Sequence, residues 1–304
     1  MEFETPGRID LNPKPKRKEG QTMSEKITEK AILATLNIGQ YTGKKQDKKA
    51  ERTIETTYNT NGDVGTYRKA TIAKEAIETV SKIVNAIRTY HYEVSLPWTD
   101  EGKRLLPMEN FQIYSSAMRS FKNEFYSAVD TFEKNYPDLI EEAKSRLNGL
   151  FNPKDYPTPQ AIRDKFYFDI HFDPIPEQGD IRVNIQTDEL DKLNADLETR
   201  KNEAIAQAMK DPYIRLHEAI KHAQEKLSDP KAIFRDSLID NIIDLVKILP
   251  SLNITNDPTL DELRKEASEK LTAYDPDTLR KDKTAREEVR NHASDLLKRM
   301  EGLY

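Results

Sequence analysis

Between Phe111 and Phe132 a large apolar side chain recurs every three or four residues, at Phe111, Tyr114, Met118, Phe121, Phe125, Ala128 and Phe132. That spacing lines them along one side of a helix. Arg119, Lys122, Asn123, Glu124, Asp130 and Glu133 fall between them and make the other side wet. A helix this one-sided needs partners over its aromatic stripe. Upstream, Ile72, Ala76, Val80, Ile83, Val84, Ile87 and Tyr90 predict a second helix over 71–92. Pro107 can open the aromatic helix, where the first-turn amides are unpaired anyway. Tyr136-Pro137 is expected to kink or end it, with 139–150 resuming it, so that three helical segments form an antiparallel bundle.

The period then changes. Phe166, Phe168, Ile170 and Phe172 alternate with Tyr167, Asp169, His171 and Asp173, and Ile181, Val183 and Ile185 alternate again after Gly179. Period two predicts strands, and the simplest arrangement is a hairpin with a long loop, leaning on the helices because a two-stranded ribbon is marginal alone. The apolar run Ile32 to Ile38 fits either a strand or a short buried helix.

Helices return with Thr187 as a cap and Leu190, Leu193, Leu197, Ile205 and Met209 as the apolar side. Asp-Pro recurs at 211, 229, 257 and 275, reading as cap plus first helical residue between helices. At Asp211-Pro212 the alternative is a mere kink within one rod over 187–227. Thr259-x-x-Glu262 adds a capping-box pattern. Residues 233–249 form the most apolar of these helices, and Val289, Ala293, Leu296, Leu297 and Met300 give the last one a buried side.

The expected fold is therefore mainly α: a multi-helix bundle with long C-terminal helices and one inserted β-hairpin. Its parts are a disordered arm over 1–23, an N-terminal helical domain over 24–150, a hairpin segment over 151–186 and a C-terminal helical domain over 187–304. The arm is polar and Pro-rich, with a basic cluster at Lys14, Lys16, Arg17 and Lys18, and Met23 resembles an ordinary start.

Composition narrows the chemistry. The 304 residues include no Cys, which removes disulfides, thiol catalysis and Cys-based zinc sites. No apolar run is long enough to predict a membrane-spanning helix. A formal net charge of −5 argues against a surface coated for nucleic acid, although local patches can still bind phosphate.

No catalytic constellation stands out, and no catalytic, cofactor or metal residues are assigned. His217 and His222 lie five apart, whereas a zinc helix needs four, so a polar helix face is the better reading; Glu218 and His222 are spaced to interact. His171 between Asp169 and Asp173, and the row Asp236, Asp240 and Asp244, are candidate cation sites that read better as solvated faces. His91 and His292 have no recognisable catalytic partner. Gly43-Lys44 lacks the rest of a phosphate-binding loop. The strongest patch is Lys44, Lys45, Lys48, Lys49 and Arg52, with Tyr41, Tyr58 and Tyr67 as stacking surfaces for a single strand.

The segments Ile38-Gly-Gln-Tyr-Thr-Gly-Lys-Lys45, Pro174-Ile-Pro-Glu-Gln-Gly-Asp-Ile-Arg-Val183, Asp236-Ser-Leu-Ile-Asp-Asn-Ile242 and Leu252-Asn-Ile-Thr-Asn-Asp-Pro258 resemble the phage and prophage proteins of domain of unknown function 3150. The resemblance covers most of the chain after Met23. It implies an adaptor or assembly component in the host-cell cytoplasm, beside an AAA-type ATPase or a von Willebrand-type protein, and supplies no catalytic residues. The leading expectation is a non-enzymatic protein that binds a protein partner or self-associates, without cofactors. The alternative is a single-stranded-DNA-binding or annealing accessory protein using the patch of Lys44, Lys45, Lys48, Lys49, Arg52 and Tyr41.

Overall fold

The computed structural model describes residues 27–60, 62, 64–98, 102–177, 187–229 and 232–304. The fold is mainly α, with long C-terminal helices and a small antiparallel sheet. The N-terminal part contains β1 (Ala31–Gly39), β2 (Lys44–Gln46), α1 (Lys48–Tyr58), β3 (Arg68–Ala70), α2 (Lys74–Glu93), β4 (Leu96–Pro97), β5 (Lys103–Pro107) and α3 (Met108–Leu147). A short α4 (Pro159–Arg163) leads into β6 (Tyr167–Asp173). The rest is helical: α5 (Thr187–Ser228), α6 (Ser237–Leu252), α7 (Pro258–Lys270), α8 (Pro276–Lys281) and α9 (Lys283–Met300).

The run Ile32 to Ile38 is a strand, and its position explains its composition. β1 pairs antiparallel with β5 on one side (Leu33 opposite Leu105) and with β6 on the other (Leu36 opposite Ile170). Strand alternation sends Ala34 and Ile38 into a core with α2 and α3, and Ala31 and Leu33 into a separate cluster with Ile205, Ala208 and Leu252. Both faces of the first half of β1 are covered, so 31–34 is continuously apolar instead of alternating, while Asn37 further on is exposed.

The aromatic stripe behaves as its spacing predicts. Tyr114, Met118, Phe125 and Phe132 are buried, joined by Val129 and Tyr136, and Phe125 and Phe132 both lie edge-on to Phe166. Helix α3 does not end at Pro137: it runs 40 residues through it. Pro costs one helical hydrogen bond, and the packed neighbours Phe132 and Tyr136 hold the turn in place. Helix α5 likewise continues through Pro212 for 42 residues, giving the rod reading at Asp211-Pro212.

One arginine joins the halves. The C-terminal carbonyls of a helix have no intrahelical partners and attract cations. Arg215 of α5 donates to the carbonyls of Glu93 (2.7 Å), Tyr92 (2.8 Å) and Ser95 (2.9 Å) at and just past the end of α2, while pairing with Asp211 at 2.6 Å. Arg104 of β5 donates to the Ser95 carbonyl and hydroxyl, both at 2.8 Å.

Several expectations change. β4 and β5, unforeseen from the sequence, extend the sheet to the order β4-β5-β1-β6. The first strand of the expected hairpin exists as β6, but its described partner is β1. The second, 181–185, lies outside the described residues, as does the arm over 1–23. Residues 166–168 share the core of α2 and α3. Asp257 and Asp275 cap helices with Pro in the first turn, as the Asp-Pro spacing predicts. The capping box at Thr259 does not form, since Asp257 accepts from the Thr259 amide instead. Ile233 stands outside α6 and is almost fully exposed. Helix α1 was not foreseen from the sequence. It buries no residue, so it left no core-facing stripe to find.

Candidate functional site

The basic patch stands on a small lobe. Gly43, at φ 64, turns the chain out of β1, and its carbonyl closes the base of the lobe by accepting from the Thr71 amide at 2.7 Å. β2 and β3 pair antiparallel and carry α1 between them. Asp47 caps α1 by accepting from the amides of Lys49 and Ala50, each at 3.1 Å. Glu51 accepts from the Tyr67 amide at 2.9 Å, tying the returning loop to the helix.

One buried cation holds the lobe to the body. The Lys69 ammonium is 5% exposed and sits 2.7 Å from Asp47, 2.8 Å from Asp155 and 2.7 Å from the Leu150 carbonyl. Burial pushes the Lys69 pKa down, but hydrogen bonds to Asp155 and Asp47 more than reverse this and leave it raised. The hydrogen bond from Lys69 is the main reason Asp47 is held below the usual carboxylate range. At Asp155 burial acts upward and is outweighed by the hydrogen bonds from Lys69 and Lys45, so its pKa is also lowered. Lys45 lies 3.0 Å from Asp155 and so belongs to this ion cluster.

Helical geometry sorts the residues of α1 into two halves. Lys48, Lys49, Arg52, Thr53, Thr56 and Thr57 share one half, bordered by Glu51 and Glu55, which stand three residues on from Lys48 and Arg52. Glu51, Ile54, Glu55 and Tyr58 occupy the other. The three threonine hydroxyls donate to carbonyls one turn back, at 2.9, 2.8 and 2.7 Å, leaving the lysines and the arginine as the free donors of that half. Lys44, Lys45, Lys48, Lys49 and Arg52 are all exposed.

Tyr41 does not belong to this surface. It is buried, its hydroxyl is 2.9 Å from the Thr71 hydroxyl and its ring packs toward Phe132, so it cannot stack on a base. Tyr58 and Tyr67 are exposed. Tyr58 falls on the half of α1 away from the lysines, where Tyr67 lines a small cleft with Ile54.

A second concavity, of about 310 Å³, opens between α3 and β6. Its walls are Tyr114, Met118, Phe168, Ile170 and Phe172, with Arg119 and Lys122 beside them. Phe172 is 39% exposed although it packs edge-on to Phe111. The Ser115 hydroxyl, on the same wall, is buried with no hydrogen-bond partner among the described residues. Lys122 lies over the Phe168 ring at 6.0 Å.

The other candidate residues are dispersed into local pairs. His171 contacts Asp169 at 2.8 Å, while Asp173 pairs with Lys103 at 3.0 Å. Asp236 pairs with Arg280, and Asp244 with Lys247 at 3.3 Å. His217 packs against the Tyr304 ring, and His292 lies 3.8 Å from Glu288. His91 is buried with its Nδ1 2.8 Å from the Tyr114 hydroxyl. Burial first, and then the Arg104 charge, push the His91 pKa down to about 4. Among the described residues no group of three or more His, Asp or Glu is placed to hold a metal ion. Nor is any helix among them long and apolar enough to cross a membrane.

Sequence reasoning missed the Lys69–Asp155 pair and the α3–β6 groove. Each joins positions far apart in the chain, and only the groove left a partial signal, in the Phe166 to Phe172 alternation. No family model, curated protein or solved structure matches the chain.

Proposed function

We propose that the protein is a non-enzymatic adaptor whose α3–β6 groove receives an apolar side chain of a protein partner. The observation that supports this most is the groove's chemistry: an apolar floor of Met118, Phe168 and Ile170, an exposed Phe172, and at its edge two cations against one carboxylate, Asp169, which already contacts His171. A concavity of this size holds one or two side chains, and a few polar groups at its rim fix their orientation. Arg119 and Lys122 favour a partner segment with Asp or Glu next to its apolar anchor. The resemblance to the phage family names the first proteins to try, an AAA-type ATPase or a von Willebrand-type protein.

The test is selection from a displayed library of short peptides against the full chain. Enriched peptides should carry an aromatic or branched residue beside an acid. The double variant Arg119→Glu/Lys122→Glu should weaken them at least tenfold with an unchanged melting temperature, and Phe172→Ser, which also loses its packing on Phe111 and so melts lower, should do the same when binding is measured well below its melting temperature. A library that yields no consensus, or peptides indifferent to both variants, sinks the reading.

A further inference from the structure

The lobe carries a separate site. Between α1 and the turn over 149–155 lies a concavity of about 540 Å³, lined by four lysines and two aspartates together with Phe151 and Asn152. Both aspartates are already engaged, since Asp47 and Asp155 each bind the Lys69 ammonium, and Asp155 also binds Lys45. Lys48 and Lys49 line the concavity, and neither pairs with a carboxylate among the described residues. Arg52 continues the same side one turn further, about 6 Å along the axis. The cations therefore run from a pocket out along a helix, which is a line of charge and not a point.

We propose that this concavity and the Lys48–Arg52 side of α1 bind the sugar–phosphate backbone of a nucleic acid without reading its bases. A single phosphate would be satisfied inside the pocket and would leave Arg52 unused, whereas a polyanion engages all three cations in register. Lys and Arg contacts to phosphate position a strand but carry no sequence information. The tyrosines that would stack on bases are absent from this side, as Tyr41 is buried and Tyr58 lies on the opposite half of the helix. Single strand and duplex are thus expected to bind alike. Lys69 is a positioning residue here: it neutralises two carboxylates that would otherwise repel the phosphates, and it fixes the angle of α1.

The experiment is fluorescence anisotropy of the full chain with a labelled single strand and a labelled duplex of mixed sequence. Three phosphate contacts predict a slope of about −2.7 for log affinity against log salt on duplex, or roughly a 40-fold loss between about 50 and 200 mM. The variant Lys48→Gln/Lys49→Gln/Arg52→Gln should lose at least tenfold at low salt. The charge-matched control Lys210→Gln/Lys221→Gln/Lys226→Gln on α5 should bind as the parent does. No binding at low salt overturns the proposal, and so does equal loss in the control. Two other results also overturn it: heparin binding without oligonucleotide binding, or displacement of the strand by a polyglutamate peptide as effective as displacement by unlabelled DNA. The groove variants of the adaptor reading leave this surface untouched, so either proposal can fail while the other stands.

Discussion

The lobe and the C-terminal helices use the same residue types to opposite ends. In the C-terminal helices several exposed charges close on one another: Arg299 reaches Glu262 at 3.0 Å and also pairs with Glu266, Arg264 lies 2.8 Å from Asp261, and Arg280 joins Asp277 at 2.6 Å. Arg286 donates to the carbonyls of Leu227 and Lys226, both at 3.0 Å, and so finishes the end of α5. On the lobe a single lysine is buried to neutralise two carboxylates, and Lys48, Lys49 and Arg52 are exposed and pair with no carboxylate among the described residues. One region pairs much of its exposed charge with charge of the other sign. The other leaves charge open to a ligand, on a helix that buries nothing.

The contrast is broken most severely by removing Lys69. Lys69→Met leaves Asp47 and Asp155 about nine-tenths buried without their ammonium. Losing one partner of a buried pair costs about 3–5 kcal/mol, and because Lys45 still pairs with Asp155 the loss here should fall at the low end of that range. Urea denaturation should show that loss, and hydrogen exchange should accelerate over 44–70 before anywhere in the C-terminal helices. Adding Asp155→Asn should recover part of the loss. If Lys69→Met melts with the parent and exchange over 44–70 is unchanged, the lobe is not held by this cluster.

The next effect is set by pH. His91 is neutral in the fold, with its pKa pushed down to about 4 by burial and then by Arg104, while in the unfolded chain it takes up its proton near the ordinary 6.5. Between those values the unfolded state binds more protons. Stability therefore rises with pH across roughly 4 to 6.5 and gains nothing from this group above that window. The full effect is at most about 3 kcal/mol, since each tenfold change in proton affinity is worth about 1.4 kcal/mol. Asp211, also buried and with its carboxyl pKa raised, works in the opposite direction in the same acid range, so the parent's own curve mixes the two. Comparing the parent with His91→Gln isolates the histidine. The difference between their unfolding free energies should change from pH 7 to pH 4.5, and a constant difference would refute the assignment.

What could be read in the sequence follows from range. The stripe on α3 is visible because its apolar positions recur within one helix, every three or four residues, whereas Asp211-Pro212 reads as a break between helices and α5 runs through it. β6 was visible for the same reason at period two. Its neighbour was not, because β1 shows no alternation over its first half, where both faces are covered. The basic residues of the lobe were legible as a cluster, but not their division of labour. Nothing local says that Lys69 turns inward toward Asp155 while Lys48 turns outward, or that Tyr41, three residues from Lys44, closes a core with Thr71 and Phe132. Sequence patterns report the surface an element needs to hide. They report poorly on which charge meets which.

The smallest effect sharpens the comparison from the other side. Arg299 pairs with two glutamates, yet its side chain is 45% exposed and so is well solvated. Exposed pairs contribute little, because water screens them and two long side chains lose freedom in meeting. Arg299→Ala should cost less than about 1 kcal/mol, and raising the salt concentration should shrink even that, as screening weakens the pair in the parent. The measurement is the urea midpoint of parent and variant at low and high salt. A loss matching that of Lys69→Met would mean that the C-terminal surface depends on its ion pairs as the lobe depends on its buried lysine. A small, salt-sensitive loss would place the strength of those helices in the apolar cluster of Leu216, Ile220, Ile242 and Leu296, and leave their surface charges to keep other molecules off.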